Sequence, residues 1–213
     1  MRYIDIHTHQ QPVRAEDDAI INLIVGREEK GFDLLPAYRS CGIHPWYIDK
    51  VEEQLEQVEI LARRAEFVAI GEVGLDKYVD TPMERQRQVF MAQVELADRL
   101  DKPLVIHCVK AWAELIACKK SIATSVPWII HGFRGNAELA NQLIRLGFFL
   151  SFGVRFNPLA LRAAWPDRIF LETDDQPVDI RLVYQEAASV IGQTEELFAA
   201  QIERNISILH LGR

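Results

Sequence analysis

Asp5, His7 and His9 stand two residues apart in the opening MRYIDIHTHQ. On a strand, side chains two apart share a face, so these three project together while Ile4, Ile6 and Thr8 take the other side. Two imidazoles so close are awkward if both are charged and useful if both hold a metal; the alternative is a pair of ordinary polar residues at a strand end. The rest of the chain bears on the choice. His44 follows the apolar run AYRSCGI, Glu72 closes AIGE, His107 follows PLVI, His131 follows PWII and Asp174 closes FLETD. Only His210 lies elsewhere, in the last helical stretch. Imidazoles and carboxylates gathered together and left unpaired would each cost several kcal/mol, a penalty that a bound divalent cation removes by satisfying them at once.

The elements that must carry these groups are read from periodicity. Eight runs have strand character: YIDIH, IINLIV, AYRSCGIH, FVAIGEVG, PLVIHCV, PWIIHGF, FFLSFG and RIFLETD. Most are continuously apolar, as strands buried on both faces of a parallel sheet are. Helical patterns alternate with them. Val51–Ala65 repeats apolar residues at helical spacing, and Pro82–Leu100 begins after Thr81, a suitable N-cap. Glu138–Leu146 stops at Gly147, and Thr194 caps Glu195–Leu209. Strand–helix alternation with eight strands predicts an α/β fold of the TIM type, a (β/α) barrel, complete or distorted, in one domain over residues 1–213. The stretch Gly26–Pro36 is too short and broken for a good helix and predicts a degenerate crossover there. In such a barrel the strand C-termini converge on one face, where active sites are built.

Composition narrows the class. With 213 residues, 49% hydrophobic and 26% charged, this is an ordinary globular mix. There is no run of about 18 apolar residues and no signal-peptide pattern, so we expect a cytoplasmic protein with no membrane partner. Cys41, Cys108 and Cys118 lack CxxC spacing, which argues against a thiolate metal site. The net charge of -7 disfavours wrapping a long polyanion and favours a small substrate or a strand end.

In order along the chain, DIHTH, GIHPW, AIGEVGLD, PLVIHC, WIIHGFRG and LETD resemble the motifs of the TatD-related metal-dependent hydrolases, several of which are DNases. Asn205 and Leu209 match that family's Asn-x-x-x-Leu-Phe ending. The resemblance implies two divalent metal ions, Mg, Mn or Zn. His7 and His9 would hold one with Asp174, Glu72 would bridge, and His107 and His131 would hold the second. It also implies a phosphodiesterase, a deoxyribonuclease working from 3′ ends, with catalytic Glu72 and Asp174. A water activated by the two metals would attack the phosphorus in line, and Asp174 would be its general base. His44 matches a family histidine near the substrate. Arg134 stands where the family has serine, and either clamps a phosphate bidentately or pairs with an acidic neighbour. Trp46 and Trp112 either stack on a base or pack, and Asp76 is expected to order its loop. DNA ends or a small phosphoester are the expected partners, with no obligate protein partner.

The chain departs from the family pattern at two places on the substrate face. Only 34 residues separate His9 from His44, and ETDDQPVDI replaces ETDAP with a longer loop, adding the charge of Asp175. These departures leave two further readings: a hydrolase of small C–N, lactone or phosphoester substrates, and a non-catalytic metal-binding module.

Overall fold

The computed structural model describes residues 2–27 and 38–209. The expected degenerate crossover lies largely outside them, as does His210. Eight strands are present: β1 (Ile4–Thr8), β2 (Asp18–Ile24), β3 (Tyr38–Gly42), β4 (Phe67–Asp76), β5 (Leu104–Val109), β6 (Trp128–Ile130), β7 (Phe148–Phe152) and β8 (Ile169–Leu171). Each coincides with one of the apolar runs read from the sequence. The helices are α1 (Val51–Ala62), α2 (Met83–Arg99), α3 (Trp112–Ser121), α4 (Ala137–Arg145), α5 (Pro158–Ala164), α6 (Ile180–Ile191) and α7 (Glu195–Ile206).

The strands follow chain order in one eight-stranded sheet, and the β1–β2, β3–β4, β4–β5 and β7–β8 pairings are parallel. β8 returns to β1 through a parallel bridge between Thr8 and Asp174. This is the TIM-type (β/α) barrel topology that the alternation predicts. The chain divides into two compact units, Met1–Ile21 with Ile129–Arg213, and Asn22–Trp128.

In the first unit, aromatic side chains knit α6 and α7 to their surroundings. Trp165 stacks on Phe198 with ring centroids 4.8 Å apart, and Tyr184 meets Tyr3 edge-on at 5.1 Å. Asn205 on α7 donates from Nδ2 to the carbonyls of Pro166 and Ile169, at 2.8 and 3.0 Å, and so ties the last helix to the start of β8. Thr194 caps α7 as expected, its side chain accepting from Leu197 N.

In the second unit, β4 is buried along all ten residues. Glu72 was expected at the end of this strand and instead lies inside it. The ladder with β5 continues through Val73↔Ile106, Gly74↔His107, Leu75↔Cys108 and Asp76↔Val109. Gly74 makes this possible: its φ is +149°, and a Cβ there would sit 1.9 Å from the His107 carbonyl oxygen. His107 is likewise inside β5, not at its end.

The N-cap of helix α2 is Pro82, with no side-chain cap, and not Thr81; the Thr81 carbonyl accepts instead from Gln86 Nε2 at 2.7 Å. Its buried face carries two glutamines that clamp backbone. Gln86 accepts from Asp76 N at 2.8 Å and donates to Asp76 O at 2.9 Å. Gln93 does the same for Ile43, accepting at 2.7 Å and donating at 3.2 Å. Each amide therefore fixes the backbone at or beside a residue of the candidate site. Gln93→Leu leaves both Ile43 backbone groups buried and unpaired, a loss of about 2–6 kcal/mol at ~1–3 kcal/mol for each orphaned group. For a chain of this size that corresponds to a fall of roughly 4–24 °C in Tm. Thermal unfolding measures it, and an unchanged Tm would show that the clamp is idle.

Candidate metal centre

Within the first unit, β1 presents His7 from its last turn of pleat and His9 just beyond, β6 leads directly into His131, and Asp174 follows β8. Asp174 is held from both sides by β1: its N–H donates to His7 O at 3.0 Å and its carbonyl accepts from His9 N at 3.1 Å. Its φ is +58°, in the left-handed region that an aspartate enters when its surroundings fix it there. The side chain is thereby aimed at two imidazoles. Asp174 Oδ1 lies 3.7 Å from His7 Nε2 and 3.7 Å from His9 Nε2. The rings of His7 and His131 are 4.3 Å apart between centroids. His7, His131 and Asp174 each offer a ligand atom, all within 4.8 Å of one another. The His7 ring is fully buried, whereas about a quarter of the Asp174 side chain is exposed.

Beneath this cluster, Asp5 organises the backbone. Its Oδ1 accepts from His7 N at 3.2 Å and Thr173 N at 3.1 Å, and its Oδ2 lies 2.5 Å from Thr173 Oγ1. Burial pushes the Asp5 carboxyl up to about 8, assisted by the charge of Glu172 and opposed by the hydrogen bonds of Thr173 and His7. Asp5 thus shares a strand face with the histidines, as the spacing predicts, while serving as a strut for them.

The second unit holds another cluster. His44 caps the short 3₁₀ turn Pro45–Tyr47, its Nδ1 accepting from Trp46 N at 3.2 Å. An accepting Nδ1 places the ring proton on Nε2, which lies 3.2 Å from Glu72 Oε1. His107 approaches the same oxygen with Nδ1 at 2.9 Å, while its Nε2 faces Asp76 Oδ2 at 3.0 Å. Both nitrogens of His107 thus face carboxylate oxygens, which only accept, and the ring is held in place between Glu72 and Asp76. Asp76 is itself braced by Trp46 Nε1 at 2.7 Å and Tyr78 N at 2.8 Å. Burial raises its pKa, but the hydrogen bonds from Trp46, His107 and Tyr78 outweigh that and keep it below the usual carboxylate range. His44, Glu72 and His107 also offer three ligand atoms within 4.8 Å of one another.

These separations suit a cation. Ligand atoms about 2.1 Å from a common ion stand roughly 3–4 Å apart, which the 2.9 to 3.7 Å spacings match. The donor set of imidazoles and carboxylates with no thiolate suits Zn and Mn, and its carboxylates suit Mg.

Asp174 stands beside both His7 and His9, the set that the resemblance implies, and His131 joins His7 and Asp174. His107 comes together with Glu72, also as the resemblance implies, and with His44, the residue expected at the substrate. Arg134 is exposed. Lys77, a further basic residue after β4, is engaged with Glu114 at 2.7 Å. The sequence reading passed over Glu172, Gln86 and Gln93. Glu172 alternates with Asp174 in LETD, which was the available signal; nothing in the sequence marks the two glutamines apart from their place on the apolar stripe of α2.

A barrel with histidine and carboxylate clusters carried by strands and the residues just after them defines the class of metal-dependent hydrolases. The chain belongs to the TatD related DNase family, whose model matches residues 34–210. It is 37% identical over 147 residues to the metal-dependent hydrolase YabD of Bacillus subtilis, a match that covers 64% of this chain and 58% of that protein. It is 30% identical over 195 residues to the metal-dependent hydrolase YcfH of Escherichia coli (81% of this chain, 73% of that protein). The 3′-5′ ssDNA/RNA exonuclease TatD of Yersinia pseudotuberculosis is also 30% identical, over 196 residues (78% and 72%). The crystal structure of YjjV, a TatD homologue from Escherichia coli, shares the fold with a TM-score of 0.82 at 23% identity, covering 99% of this chain and 98% of that one. No described helix is long and apolar enough to cross a membrane.

Proposed function

We propose that this chain is a metal-dependent phosphodiesterase that removes nucleotides from the 3′ ends of single-stranded DNA, each cluster taking one divalent cation. The observation that supports it most directly is the pairing of imidazole and carboxylate atoms at ligand spacing in both clusters. The likeness to an exonuclease supports the choice of substrate. Cations bound there would acidify a water and offset the charge that builds on a phosphoryl oxygen.

The chain's own residues have distinct tasks in this reading. Asp174, partly open to solvent and fixed through its backbone, accepts the proton of the attacking water. His7, fully buried, orients its ring against Asp174 and His131. Glu72 places a carboxylate between His44 and His107, with Asp76 fixing the orientation of the His107 ring. Trp46 is 57% exposed, yet its indole edge is pinned by Asp76. A rigid exposed ring is a stacking platform, worth about 1–3 kcal/mol per base. The net charge of -7 suits capture of a strand end over wrapping of duplex.

The test uses chelator-treated protein reloaded with Mg, Mn or Zn and a 5′-labelled single strand. Successive shortening from the 3′ end is expected, with activity lost on chelation. Trp46→Ala should raise KM for the strand about 10-fold, the effect of roughly one lost stacking contact, and by much less for a small phosphodiester. Turnover confined to small C–N, lactone or monoester substrates would replace this reading with that of a small-molecule hydrolase.

A further inference from the structure

We propose that Glu172 is a positioning residue for His131, holding the proton of that imidazole on Nδ1 so that Nε2 is the nitrogen turned to a cation. The proposal rests on the reading of His7, His131 and Asp174 as a cation site and is independent of the DNA substrate. Glu172 is fully buried just past the end of β8. Its Oε1 accepts from Gly132 N at 2.5 Å and faces His131 Nδ1 at 3.5 Å, an ion-pair separation slightly longer than a closed hydrogen bond. Its Oε2 is buried and makes no hydrogen bond among the described residues.

Gly132 has a φ of +58°, the left-handed conformation in which its N–H reaches Oε1. Buried carboxyl oxygens are kept where donors reach them, and the groups that face Oε1 are the Gly132 N–H and the His131 imidazole. Because a carboxylate only accepts, the imidazole nitrogen facing it is the one that carries hydrogen. A histidine so held is a more basic and better oriented ligand through its other nitrogen.

The experiment compares the full chain with Glu172→Gln. Glutamine keeps the shape and an oxygen for Gly132 N–H but removes the charge. Zinc titrated calorimetrically into chelator-treated protein should show affinity at one site reduced about 10–100-fold, with the other site unchanged. Nitrogen–proton correlation spectra of the zinc-free wild type should show His131 protonated on Nδ1. Equal zinc affinities in the two proteins, or a wild-type His131 protonated on Nε2, overturns the proposal. If the variant does not fold, the wild-type spectrum decides alone. Absence of any zinc binding by the wild type overturns the cation reading and this proposal with it, whereas DNA turnover lost with binding intact touches only the substrate assignment.

Discussion

Asp174→Asn is expected to fold like the wild type and to lose about 10³–10⁴-fold in kcat/KM under saturating metal. The fold should survive because Asp174 is placed through its backbone: N–H to His7 O and carbonyl from His9 N, both independent of the side-chain charge. Asparagine also tolerates the left-handed φ of +58° found at this position. What disappears is an anionic oxygen 3.7 Å from both His7 Nε2 and His9 Nε2. An amide oxygen is a weaker cation ligand and cannot take up a proton at neutral pH. General-base action alone accounts for roughly 10²–10⁴-fold, and the weakened ligand adds to it. Steady-state kinetics on single-stranded DNA, with thermal unfolding in chelator as the control for folding, give the result. Activity within ten-fold of the wild type would remove Asp174 from the proton-transfer role.

How much of this was legible in the sequence depends on which physical signal each part leaves. The strands were legible because burial on both faces writes continuous apolar runs, as in Trp128–Ile130 and Ile169–Leu171. The histidines were legible because each interrupts or ends such a run. The reach of β4 past Glu72 was not. An acid inside a strand looks like its end until the β4–β5 ladder is seen, and only the missing Cβ of Gly74 lets that ladder continue. The clamps on α2 were hidden for the opposite reason: Gln86 and Gln93 read as polar residues, yet both are buried where they pair with backbone. The pairing of His44 with Glu72 required a tautomer, which depends on the Trp46 N–H and leaves no trace in residue type. Spacing along the chain reports which residues end strands; it does not report which imidazole nitrogen faces which oxygen.

The second large effect is expected at Glu72. Glu72→Gln should reduce turnover at least 10³-fold and abolish one equivalent of tightly bound metal, while the metal-free protein unfolds within a few degrees of the wild type. The two halves of that expectation have separate causes. Glu72 is 4% exposed, and its Oε1 lies between His107 Nδ1 at 2.9 Å and His44 Nε2 at 3.2 Å. Without metal, a neutral isostere trades a buried charge for a buried amide, an exchange whose balance is commonly small because desolvation of the charge offsets its pairing. With metal, no such offset exists. The amide brings no charge to the cation, and its NH₂ group, if turned toward His44, meets the Nε2–H donor that Glu72 accepts from. A site of this kind stabilises the folded chain by about 2.7 kcal/mol when metal stands at 100 times its Kd, so the upward shift of Tm on adding metal should shrink in the variant. Paired melts with and without zinc therefore separate a ligand from a structural carboxylate. An undiminished metal-induced shift in Glu72→Gln would mean that His44, His107 and Asp76 form a purely structural hydrogen-bonded network, and that the cation chemistry rests on the Asp174 cluster alone.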